Sequence, residues 1–134
     1  MNTPVNFEIA KMLKDKRFDE KCSHYYIDNF QNFKHDGNLY KTSLPDNWDN
    51  DNILQFVKRT KQPHLCNAPK ISEVVMWLYK THGIWIWTER CSAQFRPYAE
   101  EIGDERFGKW EGHKYNTPTK AYLKAIEYTL KELL

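Results

Sequence analysis

Cysteine, glycine and long apolar runs are all scarce in this chain. Three cysteines and five glycines occur among 134 residues. An odd number of widely spaced cysteines argues against a disulfide framework and fits reduced thiols. No apolar run approaches the length of a membrane span, and the mean hydropathy of −0.82 points the same way. The glycine patterns that cradle phosphates or dinucleotides are missing, as are the serine-hydrolase elbow and the zinc-protease helix motif. Met1 is followed by Asn2, Thr3 and Pro4, not by the basic and then apolar segment of a secretory leader. Strong charge bias is missing too. The formal net charge is +2, weaker than nucleic-acid binders usually carry. These absences predict a cytoplasmic protein with no cofactor and no membrane partner.

What the chain does have is aromatic side chains. Five Trp, eight Tyr and seven Phe supply 15% of the residues. With an apolar content of 40%, that is enough for the core of one domain spanning 1–134.

Ile9, Met12, Leu13 and Lys16 fall at helical spacing, with Asn6 as N-cap, and predict an N-terminal helix docked by one narrow face. Residues 22–27 read as a short β-rich segment and 39–43 as a second. The stretch 28–63 is rich in Asn and Asp, punctuated by Gly37 and Pro45. It reads as an excursion folded over the sheet, anchored by Phe30, Phe33, Trp48 and Phe56, with a brief helix near 53–57. In 71–82, Ile71, Val74, Val75 and Leu78 make one stripe, while Met76, Trp77 and Tyr79 add a second. A helix apolar nearly all round is a buried helix. Three strands are predicted after it, at 84–90, about 93–100 and about 106–113. Gly103 and Asp104 mark a turn, and Pro97 argues that the middle strand lies at an edge or is bulged. A last helix carries Tyr122, Ala125, Ile126, Thr129, Leu130 and Leu133, with Thr117 or Thr119 as cap and Pro118 in its first turn. The predicted class is therefore α+β. Three or four antiparallel strands are backed on one face by two long helices, 70–134 runs α-β-β-β-α, and the N-terminal helix is added.

The blocks FEIAKMLKDKRFDEKC, NAPKISEVVMWLYKTHGIWI and YNTPTKAYLKAIEYTLKEL resemble a set of short uncharacterised proteins encoded by gut anaerobic bacteria and by their phages and prophages. The matching residues are mostly helix caps and core positions, so the resemblance implies a phage or mobile-element setting and no activity. Those proteins tend to carry Gly where Arg17 stands, Thr where Lys70 stands and Glu where Lys120 stands. The first difference bears on how the N-terminal helix ends, and the other two weaken capping boxes. The order α-β-β-β-α also resembles the topology of double-stranded RNA-binding domains. Those grip phosphates with lysines near the start of the last helix, where Lys114, Lys120 and Lys124 lie, although their usual lysine run is absent here.

Four chemistries compete for these residues. Cys22 with His24 and His64 with Cys66 would share a metal ion only if their segments paired; the spacing is looser than that of structural zinc sites, and buried thiols are commonly just small hydrophobes. His82, His113, Glu100, Glu101, Asp104 and Glu105 are acid–base candidates, but the carboxylates flank a turn, and Cys91 has no activating base beside it. The chain is therefore read as non-catalytic. Trp85, Trp87, Trp110, Tyr98 and Phe95 come from neighbouring strands and would share one sheet face. Such a face suits a partner protein, because interface cores favour Trp and Tyr. It also suits a stacked base. The favoured reading is a phage or prophage accessory protein that binds a host protein in the bacterial cytoplasm. The alternative is a nucleotide or nucleic acid held by the same aromatics with Lys114, Lys120 and Lys124. Oligomeric state stays open.

Overall fold

The computed structural model describes residues 3–18, 20, 22, 24–31, 34–41, 65–102 and 109–134, with the backbone alone for 27–31, 34–41 and 65. Two compact units divide the chain, Pro4–Lys70 and Met1–Thr3 with Ile71–Leu134.

In the first unit, α1 (Phe7–Asp15) starts where Asn6 accepts the Ile9 N–H on Oδ1 at 2.9 Å, satisfying one otherwise orphaned donor. Its buried stripe is Ile9, Ala10 and Leu13. The helix stops at Arg17, which takes a left-handed φ of 63°. Phe18 N–H then reaches the Leu13 carbonyl at 2.9 Å and Arg17 N–H the Lys14 carbonyl at 3.1 Å. That is the double closure of a Schellman motif, sealed by the buried pair Phe18 and Leu13. β1 (His24–Gln31) pairs antiparallel with β2 (Lys34–Lys41) on one side and β3 (Leu65–Asn67) on the other. The buried Tyr26 hydroxyl donates to the Val5 carbonyl at 2.6 Å, and the Phe7 ring meets the Tyr26 ring edge-on.

This sheet is additional to the single one expected. β1 and β2 overlap the segments expected at 22–27 and 39–43 and continue past them through Asp28, Asn29, Asp36, Gly37 and Asn38, residues of low strand propensity that hide the hairpin's full extent from a composition-based reading. Trp48, Phe33, Phe56, the 53–57 helix and the turn at 103–104 lie outside the described residues, as does the Phe30 side chain.

The second unit runs α2 (Ile71–His82), β4 (Ile84–Cys91), β5 (Gln94–Glu101), β6 (Lys109–Glu111) and α3 (Pro118–Tyr128), closing in a π-helical turn over Thr129–Leu133. The strands form an antiparallel meander in the order β4-β5-β6. α2 packs on β4, α3 on β4 and β5, and the two helices touch each other. Ile84, Ile86 and Ala99 are buried together with Val74, Leu78, Ala125 and Ile126, so the Ile84/Ile86 face is the one the helices cover. Thr117 caps α3, its Oγ1 accepting the Lys120 N–H at 3.2 Å. Gly83, at φ 68°, ends α2 by donating its N–H to the Tyr79 carbonyl at 3.1 Å.

Two expectations need correction. β5 is the central strand and runs in unbroken register with β4, so Pro97 is not at an edge. On the β6 side the pairing gains one residue next to it, Pro97 meeting Gly112 and Phe95 meeting Tyr115, which makes a bulge across from Arg96. The missing N–H of Pro97 would point toward β6, whose own ladder ends at Glu111; only the Pro97 carbonyl is used there, accepting from Gly112 N–H at 2.9 Å. Nor is α2 buried all round. Trp77 is buried with the main stripe, whereas Met76 and Tyr79 are exposed.

Candidate functional site

Alternation in β4 splits the predicted aromatic cluster between two faces. Directly opposed residues in an antiparallel pair share a face. Trp85 lies opposite Glu100 and Trp87 opposite Tyr98, while Ile86 lies opposite Ala99 and Ala99 opposite Trp110. Trp85, Trp87 and Tyr98 therefore occupy the face away from the helices. Trp110 and Phe95 stand on the helix-bearing face, and Trp110 stacks on Tyr128 of α3 with ring centroids 4.2 Å apart and planes 9° from parallel.

On the outer face, Trp87 stacks on Tyr98 at 5.1 Å, and the Lys109 ammonium sits 4.9 Å from the Tyr98 ring centroid. The Trp87 indole N–H donates to Glu89 Oε1 at 3.5 Å. Arg96 pairs with Glu111 alongside. Burial, and then a hydrogen bond with Glu89, pushes the Tyr98 phenol above its ordinary value. These contacts make a finished surface: Tyr98 is buried and Trp87 half-buried.

Trp85 is different. It is 38% exposed, and Met76, Tyr79 and Ile102 are 41%, 46% and 51% exposed. Among the described residues, these four are the large apolar side chains left in solvent, and together they line one open hollow of about 440 Å³. The fold brings them together in three steps. α2 presents Met76 and Tyr79 one turn apart on its outer side. Gly83 then reverses the chain so that Trp85 meets the Tyr79 ring edge-on at 5.4 Å. Ile102 is tied to the same end of the sheet by its N–H to the Gly83 carbonyl at 2.7 Å. Taking about 200 Å² for each large side chain, these fractions leave on the order of 350 Å² of apolar surface exposed. Contiguous patches of about 300–600 Å² on monomers are often functional.

The sequence singles out Trp85 and not the other three. Met76 and Tyr79 pass as part of an all-round apolar helix, although the stripe of Ile71, Val74, Val75 and Leu78 already fills one core face. Ile102 passes as part of an acidic turn. A lone large apolar residue between Glu101 and Asp104 is the available signal.

Of the three candidate lysines, Lys124 lines a hollow together with the candidate Trp110. Lys114 and Lys120 are exposed, and Lys124 lies 3.4 Å from Glu127. This second, smaller hollow of about 210 Å³ is lined by residues including Trp110, His113, Lys124, Glu127 and Tyr128. There Lys131, at 2.9 Å, and Lys124 both hold Glu127 and lower its pKa, the Lys131 hydrogen bond most. A general acid at neutral pH needs the opposite shift. His82 packs its ring against Trp77.

Among the metal candidates, β1 and β3 do pair, with Cys66 opposite Tyr26. Cys22 and Cys66 are buried, and the Cys22 thiol donates to the Glu20 carbonyl at 3.4 Å. No group of three or more metal-ligating side chains forms among the described residues; His64 lies outside them. No helix among the described residues is long and apolar enough to cross a membrane.

Comparison with protein-family models, with curated proteins and with solved structures gives no match to this chain.

Proposed function

We propose that this chain is a non-catalytic binding protein that captures a host protein through the hollow of Met76, Tyr79, Trp85 and Ile102, as a phage or prophage accessory protein in the bacterial cytoplasm. One observation carries the reading: the exposed large apolar side chains of the described residues converge on one place instead of scattering. Scattered apolar residues are ordinary on protein surfaces, whereas a contiguous patch marks an interaction site. Its aromatic and methionine composition is that of interface centres. Stacking of a base, the alternative, draws less support, because Trp87 and Trp110 are already stacked on Tyr98 and Tyr128.

The test is affinity capture from host lysate with the wild-type chain and the exposed-patch variants Met76→Lys and Trp85→Ser. Lys131→Ala, at a position outside the lining of the patch, serves as control. A host protein retained by wild type and Lys131→Ala but lost with both patch variants is the expected result. An identical captured set from all four proteins, or none from any, would sink the proposal.

A further inference from the structure

The hollow adjoins a feature that identifies the kind of partner it takes. In an antiparallel ladder, residues alternate between pairs that exchange both hydrogen bonds and pairs whose N–H and C=O groups point outward. Ile102 N–H donates to the Gly83 carbonyl, so Gly83 belongs to a bonded pair with β5. Counting along the register from there, Ile84, Ile86, Thr88 and Arg90 are the outward-pointing residues of β4. The β5 side agrees. Phe95, opposite Arg90, exchanges both its hydrogen bonds with Tyr115 at 2.7 and 2.8 Å, and Pro97, opposite Thr88, gives its carbonyl to Gly112. β4 ends the order β4-β5-β6, and no strand among the described residues takes its outer edge.

Resting on the binding reading above, we infer that the partner supplies an extended peptide segment that adds to β4 as a fourth, antiparallel strand and places a large apolar side chain in the hollow. The outer-face side chains along β4 are Trp85, Trp87 and Glu89. An added strand would set its own same-face side chains opposite them, where aromatic or β-branched residues suit Trp and a cation suits Glu. The segment therefore reads, from its N-terminus, basic residue, spacer, apolar residue, spacer, large apolar residue. Glu89 and Trp85 are both exposed, so both ends of that pattern have a site to meet.

A second copy of this chain fits less well. Pairing β4 with itself about Trp87 would put Glu89 opposite Trp85 and Arg90 opposite Ile84, leaving both charges unmatched. The exposed apolar area of roughly 350 Å² is also less than half the ~800 Å² each partner of a standard interface buries. A short strand needs less, because main-chain hydrogen bonds supply part of the affinity.

The probe is a fluorescein-labelled peptide with N-terminal lysine followed by alternating threonine and isoleucine, titrated against the full chain by fluorescence anisotropy. Its counterpart carries N-methyl groups on the amides that would face β4. The protein variants are Trp85→Ser and Thr88→Pro. Thr88 N–H points to the open edge, so proline there removes a donor for the added strand and leaves the β4–β5 ladder whole; far-UV circular dichroism verifies that fold. The expected outcome is binding with a Kd on the order of 10–100 μM, a loss of tenfold or more with Thr88→Pro, Trp85→Ser or the N-methylated peptide, and weakening when lysine is replaced by glutamate. Equal affinity for Thr88→Pro and wild type, or for the two peptides, overturns strand addition. Absence of binding by the unmodified peptide overturns it as well. Host-protein capture lost in Trp85→Ser but kept in Thr88→Pro would leave the patch reading standing and remove only this inference. Sedimentation showing a dimer that Thr88→Pro dissolves would assign the edge to a second copy and overturn the peptide assignment.

Discussion

Arg17→Gly should leave this protein more stable than Arg17→Ala does. Arg17 is exposed and holds φ 63° at the end of α1, the conformation that closes the helix through the Phe18 and Arg17 N–H groups. A side chain with a Cβ costs about 1–2 kcal/mol there. Glycine removes that cost but enlarges the entropy of the unfolded chain, which takes back about 0.4–1 kcal/mol. The net gain over alanine is thus on the order of 0.5–1 kcal/mol. Arg17→Ala is the necessary control, because both substitutions discard the same cation from the end of the helix, where it is mildly favourable. Only glycine relieves the backbone. With a urea m-value of about 1–3 kcal/mol per molar, the midpoint of the Arg17→Gly variant should exceed that of Arg17→Ala by roughly 0.2–1 M. Far-UV circular dichroism reads the transition. Native-state exchange of the Phe18 amide reads the cap itself and should slow in the glycine variant alone. Equal midpoints for glycine and alanine would refute the assigned cap geometry.

Gly112→Ala should destabilise the second unit by about 1–3 kcal/mol through overpacking, because a Cβ there would stand 2.6 Å from Trp110 Cη2 and 2.8 Å from Pro97 Cγ. Chemical denaturation followed by tryptophan fluorescence measures it, and a companion Trp110→Leu change should recover part of the loss. At Gly83 a Cβ meets nothing closer than 3.8 Å, so Gly83→Ala should cost only the left-handed backbone penalty of about 1–2 kcal/mol, with Gly83→Asn losing less. Tyr26→Phe strands the Val5 carbonyl in a buried setting and should cost about 1–3 kcal/mol by the same urea assay. The Tyr98 phenol, raised by burial and by Glu89, contributes stability that is whole below the unfolded tyrosine pKa of about 10. That contribution falls as pH rises through the higher folded value, because the native state then holds the extra proton; Tyr98→Phe should flatten the alkaline limb of a stability–pH curve.

Much of the second unit was legible because its signals are local. The Ile71/Val74/Val75/Leu78 stripe, the Thr117–Pro118 start and the Ile84–Trp87 alternation each name their own element. Asn6 named the start of α1 in the same way, and its Oδ1 bond confirms it. The β segments at 22–27 and 39–43 were readable, but the rest of the β1–β2 hairpin was hidden because Asp, Asn and Gly at 28–29 and 36–38 read as turn chemistry while the pairing that makes them strands is not local. Pro97 misled as to the edge, though not as to the bulge, for a related reason. A proline's fit in a sheet depends on which neighbour its nitrogen faces, and the shortness of β6 is invisible in the residues around Pro97. Of the site, Trp85 was readable as an apolar residue on the wrong side of a strand. That Trp87 and Tyr98 finish each other under Lys109 follows only from register.

The distribution of charge along β4 bears on why the edge and the hollow coincide. Open edge strands invite unwanted pairing, and proteins commonly blunt them with charged side chains. β4 carries Glu89 and Arg90, both exposed, in its second half. Its first half, Ile84 to Trp87, carries no charge at all, and the hollow begins there. A strand protected along its whole length would be a passive boundary of the sheet. One protected along half its length, with four large apolar side chains converging at the other half, admits a strand in limited register only. A cation opposite Glu89 sets that register, and the hollow receives the side chain that follows from it. Selectivity on this surface would then come from the spacing between a charge and an apolar anchor on the incoming strand. Moving the lysine of the probe peptide by one residue should therefore abolish its advantage over the glutamate version, because a shift of one places it on the opposite face; a shift of two should only weaken it.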